Sequence, residues 1–445
     1  MIKVLFLTYY FPPLGGAGVQ RTVKFLKYLP QYGFEPIVIT GPGIENTCWA
    51  PIDDSLNREL ANSFSVCRIP LPYKKPTGIL NKVQRWLPVE NSFSKWWYSN
   101  CVDIIKNLMK EDIRLIYASM SPFESTLVAD YFWQNHGIPW VADLRDPWAL
   151  DEMQIYPTIF HRKIEFQKMK RFLGGASGII MNTPEAETRL KRAFPEFLDK
   201  KITFITNGYD AEDFASSPEK RINKKFTIVH TGYLHTEMGH LLRKRYNLYR
   251  TTGGVTLGLD ILTRSHVFLL KAVENWISLS PENAERVELV FAGEISEGDK
   301  CIIKNSRIAE LVRLPGYLSH PTSVSLIRNA DLLFLPMHNL SNGVRATIVP
   351  GKTYEYMATG NPILAAVPEG DAKDFLHSCG TGLICKPDDV EGMVAILYKV
   401  FRAWQQGEKI VKPNVSFVEK FERKNLTAGL ANFFDSLLQT ELAKQ

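Results

Sequence analysis

The sequence predicts an α/β protein in which two doubly wound parallel sheets follow one another along the chain. Short apolar segments alternate with segments of helical periodicity from Val4 to about residue 212, and the alternation resumes at Phe226. This order is typical of repeated strand, helix, strand units in a parallel sheet. At 445 residues the chain is also longer than one hydrophobic core supports, so two domains are expected.

The first series of apolar segments predicts one domain over residues 1–212. Helical periodicity lies between the segments, beginning near Val19, after Pro122 and at Pro184. The polar residues that follow predict a linker over 213–225. The strands predicted for this domain are residues 4–7, 36–40, 115–118, 140–142, 178–181 and 202–205.

The second series predicts another doubly wound domain over residues 226–410. Residues 235–262 interrupt its rhythm, since they contain Arg243-Lys244-Arg245 and a pair of glycines, and we expect them to form an inserted loop or lid. Ligands of such sheets bind beyond the carboxyl ends of the strands, so functional residues are sought there. The strands predicted for this domain are residues 226–229, 287–292, 312–314, 332–335, 362–366 and 382–385.

The composition is that of an ordinary globular protein, with 45% hydrophobic and 22% charged residues. A net charge of +6 favours anionic partners such as phosphates or a membrane surface and does not require nucleic acid. The six cysteines lack C-x-x-C or zinc spacing, which predicts no metal site and a reducing, cytoplasmic location. No apolar run reaches about 18 residues, so membrane contact would be peripheral, at the inner face of the cell membrane.

A glycine-rich turn follows the first strand directly. Gly15, Gly16 and Gly18 stand at the start of the first helix, where glycine lets the backbone approach a ligand closely. A tight structural turn is the alternative interpretation. A dinucleotide site is disfavoured, because the end of the second strand offers no acidic residue to hold a ribose.

Three charges in four residues follow an internal strand, in Asp143-Leu144-Arg145-Asp146. One interpretation is an Asp–Arg ion pair that orders the strand end, and the other is a functional group directed at a ligand. Both are compatible if one carboxylate positions Arg145 while the other faces the ligand. Arg145 and Asp146 are therefore candidate catalytic residues, together with Lys352 and Glu355 of a later segment.

Two further turns end predicted strands. Gly232, in the sequence His230-Thr231-Gly232-Tyr233, can bring backbone N–H groups to a phosphate, whereas His230 is expected to be packed rather than catalytic. The Asn207-Gly208 pair at the end of the first domain is read as a turn.

The helix start at Pro350 and Gly351 is the most informative part of the sequence. Its first turn carries Lys352, Thr353 and Glu355, and a buried strand follows. Helix N-termini carry unpaired N–H groups and partial positive charge, so a phosphate binds there, while Glu355 accepts hydrogen bonds from hydroxyls. A solvated Lys352–Glu355 ion pair is the alternative. Because lysine is unfavourable in a first turn without an anion, we favour a phosphorylated sugar or nucleotide as ligand.

Five motifs in order, FPPLGGAGVQR, TNGYD, HTGY, LPGY and PGKTYEYMATGNPILA, resemble family 4 of the retaining glycosyltransferases. The resemblance covers essentially the whole chain. It implies the GT-B fold, in which two Rossmann-like domains face each other across a cleft. It also implies that residues 411–445 form a helical segment crossing back to the N-terminal domain, with a helix at about 425–438.

The resemblance further implies transfer of a hexose from a UDP- or GDP-linked sugar with retention of configuration. Glu355 would hold the ribose hydroxyls, and Gly15 and Gly16 would close over the diphosphate. Thr347 stands where the family has its first glutamate, which would contact the hexose. The whole implied donor site is Gly15, Gly16, Gly18, Gly232, Gly316, Tyr317, Thr347, Pro350, Gly351, Lys352, Thr353 and Glu355.

Two further roles follow from the resemblance. Asp146 would orient the acceptor, and Arg243, Arg264 or Lys271 would replace the family's Arg and Lys after Gly232. The chain has no D-x-D triplet, so fixed cations rather than a metal or another cofactor would stabilise the leaving diphosphate.

The acceptor is expected to be a glycan or a lipid-linked sugar, in cell-envelope polysaccharide or glycoconjugate synthesis. Residues 73–110 mix basic residues with tryptophans, which suits an anionic membrane surface, although a solvated helical face explains them nearly as well. Two alternatives stay open at this point. One is a GT-B nucleotide-sugar epimerase, and the other is a non-catalytic protein that binds a nucleotide sugar.

Overall fold

A computed structural model describes residues 1–44, 52–53, 55–56, 60, 64–70, 73, 92–215, 225–341 and 343–442 of the chain. The chain divides into two compact units. The first comprises Met1–Asn207, Thr252–Gly254 and Arg423–Gln445, and the second comprises Gly208–Thr251 and Val255–Glu422.

The first unit is built on a seven-stranded parallel sheet in the order β3-β2-β1-β4-β5-β6-β7. Strand order reverses between β1 and β4, so ligands are expected beyond the carboxyl ends of these strands. The strands are β1 (Ile2–Thr8), β2 (Phe34–Thr40), β3 (Ser65–Arg68), β4 (Ile113–Met120), β5 (Trp140–Leu144), β6 (Gly178–Met181) and β7 (Lys201–Phe204).

Helices cover both faces of this sheet. Along β1, Leu5 and Leu7 join one buried hydrophobic cluster and Val4 and Phe6 join another, because successive strand side chains point to opposite faces. The helices of the first unit are α1 (Ala17–Tyr28), α2 (Ser92–Leu108), α3 (Ser125–His136), α4 (Ile159–Leu173), α5 (Pro184–Ala193) and the C-terminal α14 (Arg423–Leu442).

The C-terminal helix α14 contributes to the core of the first unit. Its Phe434 is fully buried, and the Phe434 ring centroid lies 5.4 Å from that of Phe34 and 6.0 Å from that of Tyr117. Its Leu430 and Leu437 are buried in the same cluster. Helix α14 therefore completes a hydrophobic core to which β1 also contributes.

The second unit contains a six-stranded parallel sheet in the order β11-β10-β8-β12-β14-β15. A short antiparallel pair, β9 with β13, lies apart from it. The strands are β8 (Phe226–Thr231), β9 (Leu259–Asp260), β10 (Val287–Ala292), β11 (Val312–Gly316), β12 (Leu332–Pro336), β13 (Asn339–Leu340), β14 (Ile363–Ala366) and β15 (Gly382–Cys385).

Eight helices of the described residues belong to this unit. They are α6 (Thr236–Thr251), α7 (Val267–Leu279), α8 (Glu297–Lys304), α9 (His320–Arg328), α10 (Lys352–Thr359), α11 (Asp371–Ser378), α12 (Val390–Gln406) and α13 (Val415–Val418). The predicted fold class of two doubly wound parallel sheets is confirmed.

The segment 235–262 differs from the predicted loop, because α6 occupies most of it. Gly239 and Leu242 are buried, and Tyr246 is half-buried one turn further on, so one face of the helix packs inward. The basic run lies among its exposed positions, and the two glycines follow the last helical residue. The helix was not predicted because few apolar residues mark its buried face and the charged residues of its exposed face dominate the sequence.

Several other expectations concern residues outside the described ranges. Residues 216–224 of the predicted linker and 74–91 of the predicted membrane surface lie there. Within helix α2, Trp97 is fully buried and its indole N–H donates to Ser125 Oγ at 3.1 Å. Trp97 therefore belongs to the core of the first unit and not to a membrane-facing surface.

None of the helices in the described ranges combines the length and apolarity needed to cross a bilayer. Within the same ranges, no three His, Cys, Asp or Glu side chains group so as to hold a metal ion. The described cysteines, Cys67, Cys101, Cys301, Cys379 and Cys385, are all free thiols.

Candidate functional site

The carboxyl end of β5 carries a buried ion pair that the sequence did not reveal. Asp143 accepts hydrogen bonds from Arg21 Nε and Nη2, each at 2.8 Å, and both side chains are fully buried. The Tyr117 hydroxyl donates to the same carboxylate, and Arg21 Nη1 donates to the Thr206 carbonyl at 2.6 Å. Asp143 therefore pairs with Arg21 on α1 and not with Arg145, which corrects the ion pair considered from sequence.

Arg145 is held by backbone carbonyls instead. Its Nε donates to the Met120 carbonyl at 2.8 Å, and its Nη2 donates to the Ser121 carbonyl at 3.2 Å. A Cβ atom added to Gly18 would lie 1.9 Å from Arg145 Nη1, so a larger residue at that position would require the Arg145 guanidinium to move. Asp146 is exposed to solvent. The structure thus brings Gly18 and Arg145 together and leaves Asp146 accessible.

The glycine turn itself opens helix α1. Gly16 has φ 95°, which favours glycine, and its carbonyl accepts hydrogen bonds from the backbone N–H groups of Val19 at 3.0 Å and Gln20 at 3.1 Å. Gly15 is buried beside it. The turn is therefore built as a helix start at the carboxyl edge of the first sheet, as the sequence predicts.

A buried carboxyl group near this edge was missed from sequence. Burial, together with the charges of Asp146 and Glu152, raises the pKa of Asp151 to about 7. Asp151 accepts a hydrogen bond from the backbone N–H of Met153 at 2.7 Å and one from the Gln154 side chain at 3.3 Å. It orders the loop after Asp146, and nothing in the local sequence distinguishes it from a solvated aspartate.

In the second unit, glycines line the carboxyl ends of three neighbouring strands. Gly232 donates its N–H to the Ala292 carbonyl at 2.7 Å, and Gly293 donates to the Gly316 carbonyl at 2.8 Å. A Cβ atom on Gly293 would lie 2.9 Å from the backbone of Gly232. At Gly293 the two strand ends therefore approach so closely that a side chain is excluded.

Lys352 lies against this glycine layer. A Cβ atom on Gly232 would lie 2.9 Å from Lys352 Nζ, and the same Nζ lies 3.1 Å from His230 Nε2. His230 Nδ1 lies 2.9 Å from the Phe334 carbonyl, which fixes Nδ1 as the protonated nitrogen and Nε2 as the acceptor for Lys352. Burial and the Lys352 charge lower the pKa of His230 well below its usual range, so the ring stays neutral.

A second cation acts on Lys352. Burial and the charge of Arg264 lower the pKa of Lys352 to about 7, although Glu355 acts in the opposite direction. Burial and Arg264 likewise lower the pKa of His235. Two cationic groups, Lys352 and Arg264, therefore lie close together at this strand end, and such a concentration of positive charge favours an anion.

Three basic residues were considered as replacements after Gly232. Of these, Arg264 is the one whose charge acts on Lys352 in the part of the chain that the structure describes. Arg243 Nε donates to Asp260 Oδ1 at 3.1 Å. Lys271 Nζ lies 5.7 Å from the centroid of the Phe268 ring. The sequence left these three open because Arg243 lies within α6 and Arg264 and Lys271 follow it, so none of them is next to Gly232 along the chain.

Helix α10 is fixed to the strand end by its own side chains. The Tyr356 hydroxyl accepts the Thr231 backbone N–H at 2.9 Å, and the N–H of Thr353 donates to the Pro350 carbonyl at 3.0 Å. Thr353 Oγ1 is buried and makes no hydrogen bond to any residue that the structure describes. Thr347 is fully buried.

Glu355 is part-buried at the same helix start. Its Oε1 is 3.9 Å from His320 Nδ1, and His320 Nε2 is 3.1 Å from Asp213 Oδ2. Tyr317, after the positive-φ Gly316, is 38% exposed. The ion pair considered between Lys352 and Glu355 is replaced by separate partners, His230 for the lysine and His320 for the glutamate.

The fold defines the structural class of the protein. Two parallel sheets of seven and six strands, each in its own unit, are the architecture of GT-B glycosyltransferases. The family model described as glycosyl transferases group 1 matches residues 260–402, a segment that contains Arg264, Lys352 and Glu355. The resemblance to group 1 glycosyltransferases is thereby confirmed over that segment.

Solved structures support the fold over nearly the whole chain. A sucrose-phosphate synthase from Thermosynechococcus elongatus is 13% identical with a TM-score of 0.67, covering 99% of this chain and 100% of that one. Anabaena Alr3699/HepE in complex with UDP and glucose is 15% identical with a TM-score of 0.62, covering 98% and 100%. A glycosyltransferase from Rickettsia africae ESF-5 is 15% identical with a TM-score of 0.63, covering 98% and 99%. No curated protein sequence matches the chain.

Proposed function

We propose that the protein is a retaining glycosyltransferase that moves a hexose from a nucleoside-diphosphate sugar to a glycan or a lipid-linked acceptor. The observation that carries the proposal is the position of Lys352, in the first turn of α10, against Gly232 and the neutral His230. A diphosphate is the ligand that best matches a lysine, an arginine and a helix N-terminus brought together at one strand end.

In the proposed complex, the diphosphate oxygens accept hydrogen bonds from Lys352 and from the N–H groups at Gly351 and Lys352. Arg264 adds a second positive charge. As the sugar–phosphate bond breaks, negative charge grows on the leaving diphosphate, and fixed cations stabilise it without rearrangement. Glu355, whose carboxylate is part-buried beside His320, is proposed to accept hydrogen bonds from the ribose hydroxyls.

The first unit is proposed to serve the acceptor. Arg145 is rigidly held by two carbonyls, and Asp146 is an exposed carboxylate at the same strand end. We assign Asp146 to orienting the acceptor hydroxyl. Gly15, Gly16 and Gly18 are assigned to letting the backbone come close to a bound ligand. In a retaining transfer the departing phosphate oxygen takes the acceptor proton, so a strong protein base is not needed.

The donor assignment is tested with a thermal-shift panel of UDP, GDP and their hexose conjugates. A ligand present at 100 times its Kd stabilises the folded state by about 2.7 kcal/mol, which is readily measured. We expect one nucleotide series to raise the melting temperature. The Lys352→Ala variant should bind that nucleotide about 10 to 100 times more weakly, because a charge-assisted hydrogen bond is lost.

Lys373→Ala is the matched control for this experiment. Lys373 also lies in the first turn of a helix in the second unit, but it is exposed and pairs with Glu369. It should bind the nucleotide like the unchanged protein. Absence of stabilisation by every nucleotide, or equal weakening in the two variants, would refute the donor site.

Retention is tested through slow hydrolysis of an α-linked donor in the absence of acceptor. Proton NMR distinguishes the anomer of the sugar released first. We expect the α anomer, and early release of the β anomer would contradict retention. A protein that binds the donor without hydrolysing or transferring it would support the binding-protein alternative. Conversion of the donor to an epimeric nucleotide sugar would support the epimerase.

A further inference from the structure

Helix α4 of the first unit presents an outward face that the proposed reaction does not use. Phe160 is 70% exposed and Ile164 is 38% exposed on this helix. Lys163 and Arg171 are exposed as well. Positions 160, 163, 164 and 171 are separated by three, four and eleven residues, so their side chains project from one side of the helix.

The acidic residue of this helix is directed elsewhere. Glu165 is the one carboxylate in the sequence of α4, and its Oε2 accepts the Trp148 indole N–H at 3.1 Å. Lys168 Nζ lies 3.8 Å from the same carboxylate. At the flank of the face, Lys170 pairs with Glu196 at 2.6 Å. The outward face therefore combines apolar side chains with positive charge and contains no carboxylate of the helix.

The helix is mounted firmly on the unit below it. Met169 and Leu173 are fully buried on its inner side. Trp148, which anchors Glu165, stacks on Phe123 with ring centroids 4.1 Å apart and an interplanar angle of 3°. The exposed face is consequently a fixed surface of the fold.

We propose that this face of α4 docks the protein on an anionic lipid bilayer. Phe160 and Ile164 would enter the boundary between headgroups and acyl chains, while Lys163 and Arg171 contact anionic headgroups. Charge complementarity identifies the partner, because exposed lysine between apolar residues suits headgroups, whereas the cores of protein interfaces are depleted in lysine. The inference concerns helix α4, which lies outside residues 73–110 of the sequence, and does not depend on the transferase activity.

The test is cosedimentation of the full chain with phosphatidylglycerol-containing vesicles and with pure phosphatidylcholine vesicles. The unchanged protein should bind the anionic vesicles more tightly, and binding should weaken as salt increases. Phe160→Ser with Ile164→Ser should weaken binding about tenfold or more through the loss of inserted apolar groups. Lys163→Gln with Arg171→Gln should weaken it about fivefold per charge and flatten the salt dependence.

A matched control is available on α12 of the second unit. Tyr398 is 57% exposed there, and Lys399 and Arg402 are exposed near it. Tyr398→Ser with Lys399→Gln should bind vesicles like the unchanged protein. All the substituted residues are exposed, so melting temperatures should stay unchanged and exclude misfolding as the cause.

Three results would overturn the proposal. The first is no vesicle binding by the unchanged protein at low salt. The second is vesicle binding that survives the α4 substitutions, which would assign membrane contact to another surface. The third is a change of oligomeric state in an α4 variant, measured by analytical ultracentrifugation. That change would assign the face to contact with a second copy of the chain.

Discussion

Lys352 is the residue on which the proposed donor site depends most, and its protonation makes a pH prediction. In the free protein, burial and Arg264 lower its pKa from 10.5 to about 7. A bound diphosphate favours the ammonium form and raises that pKa, so the complex holds more protons than the free protein above pH 7. Binding of UDP should therefore weaken as pH rises, by roughly tenfold between about pH 7 and 8.5.

Isothermal titration calorimetry in buffers of different ionisation enthalpy measures this linkage directly. At about pH 8, UDP binding should take up close to one proton, since Lys352 is mostly neutral in the free protein at that pH. Lys352→Arg is the control, because its guanidinium remains charged throughout. Binding that is independent of pH in the unchanged protein would show that Lys352 does not meet the diphosphate.

The two aspartates after β5 have separable roles that substitution can distinguish. Asp143→Ala should lower the free energy of unfolding by about 3–5 kcal/mol, because Arg21 would be left as an unpaired buried charge. Urea denaturation measures this change. Asp146 is exposed, so Asp146→Asn should leave stability unaltered while severely reducing turnover. A near-normal rate for Asp146→Asn would remove that residue from the proposed mechanism.

At the scale of elements, the turn after β8 depends on one glycine. Gly232 has φ 98°, and an added Cβ would meet Lys352 Nζ at 2.9 Å. Gly232→Ala should cost about 1–2 kcal/mol through backbone strain and also weaken UDP binding about tenfold by displacing the lysine. Equilibrium denaturation and calorimetry measure the two effects.

Gly407→Ala is the matched control for that substitution. Gly407 follows α12 with φ 69°, and no atom lies within 4 Å of an added Cβ. The Gly407→Ala substitution should have a comparable backbone penalty but should not affect the residues around Lys352. If both variants lose the same affinity for UDP, the close approach of Gly232 and Lys352 has no functional role.

The elements themselves were predicted unevenly from sequence, for physical reasons. Buried strands such as β12 (Leu332–Pro336) are unbroken apolar runs in the sequence and were located closely. Strand β3 (Ser65–Arg68) was missed, because it is a short, half-exposed edge strand with no such run. Helix α6 was missed because most of its residues are exposed and its buried face has few apolar residues to show the helical period.

The site was predicted in part for similar reasons. The first turn of α10 could be predicted from the local sequence, because Gly351, Lys352 and Glu355 lie within five consecutive residues. Contacts between distant segments could not be predicted in this way, and Arg21 and Asp143 are 122 residues apart in sequence. His230 was expected to be packed, and it is, but its role as the acceptor for Lys352 follows only from their 3.1 Å separation.

For the whole molecule, the division into two units predicts two separable unfolding transitions, since multidomain chains depart from two-state behaviour. Phe434 of α14 is buried in the first unit, and Phe401 of α12 is buried in the second. Each Phe→Ala substitution should cost about 3–5 kcal/mol. We expect denaturation curves in which the two variants shift different transitions. A common shift would mean that the units unfold together.

The central claim is that a nucleoside diphosphate binds at the start of α10, and a crystal structure of the complex with UDP tests it most directly. We expect diphosphate oxygens within about 3 Å of Lys352 Nζ and of the backbone N–H groups at the helix start. Glu355 should lie within hydrogen-bond distance of the ribose. UDP bound elsewhere, with Lys352 still directed at His230 and no phosphate beside it, would contradict the account.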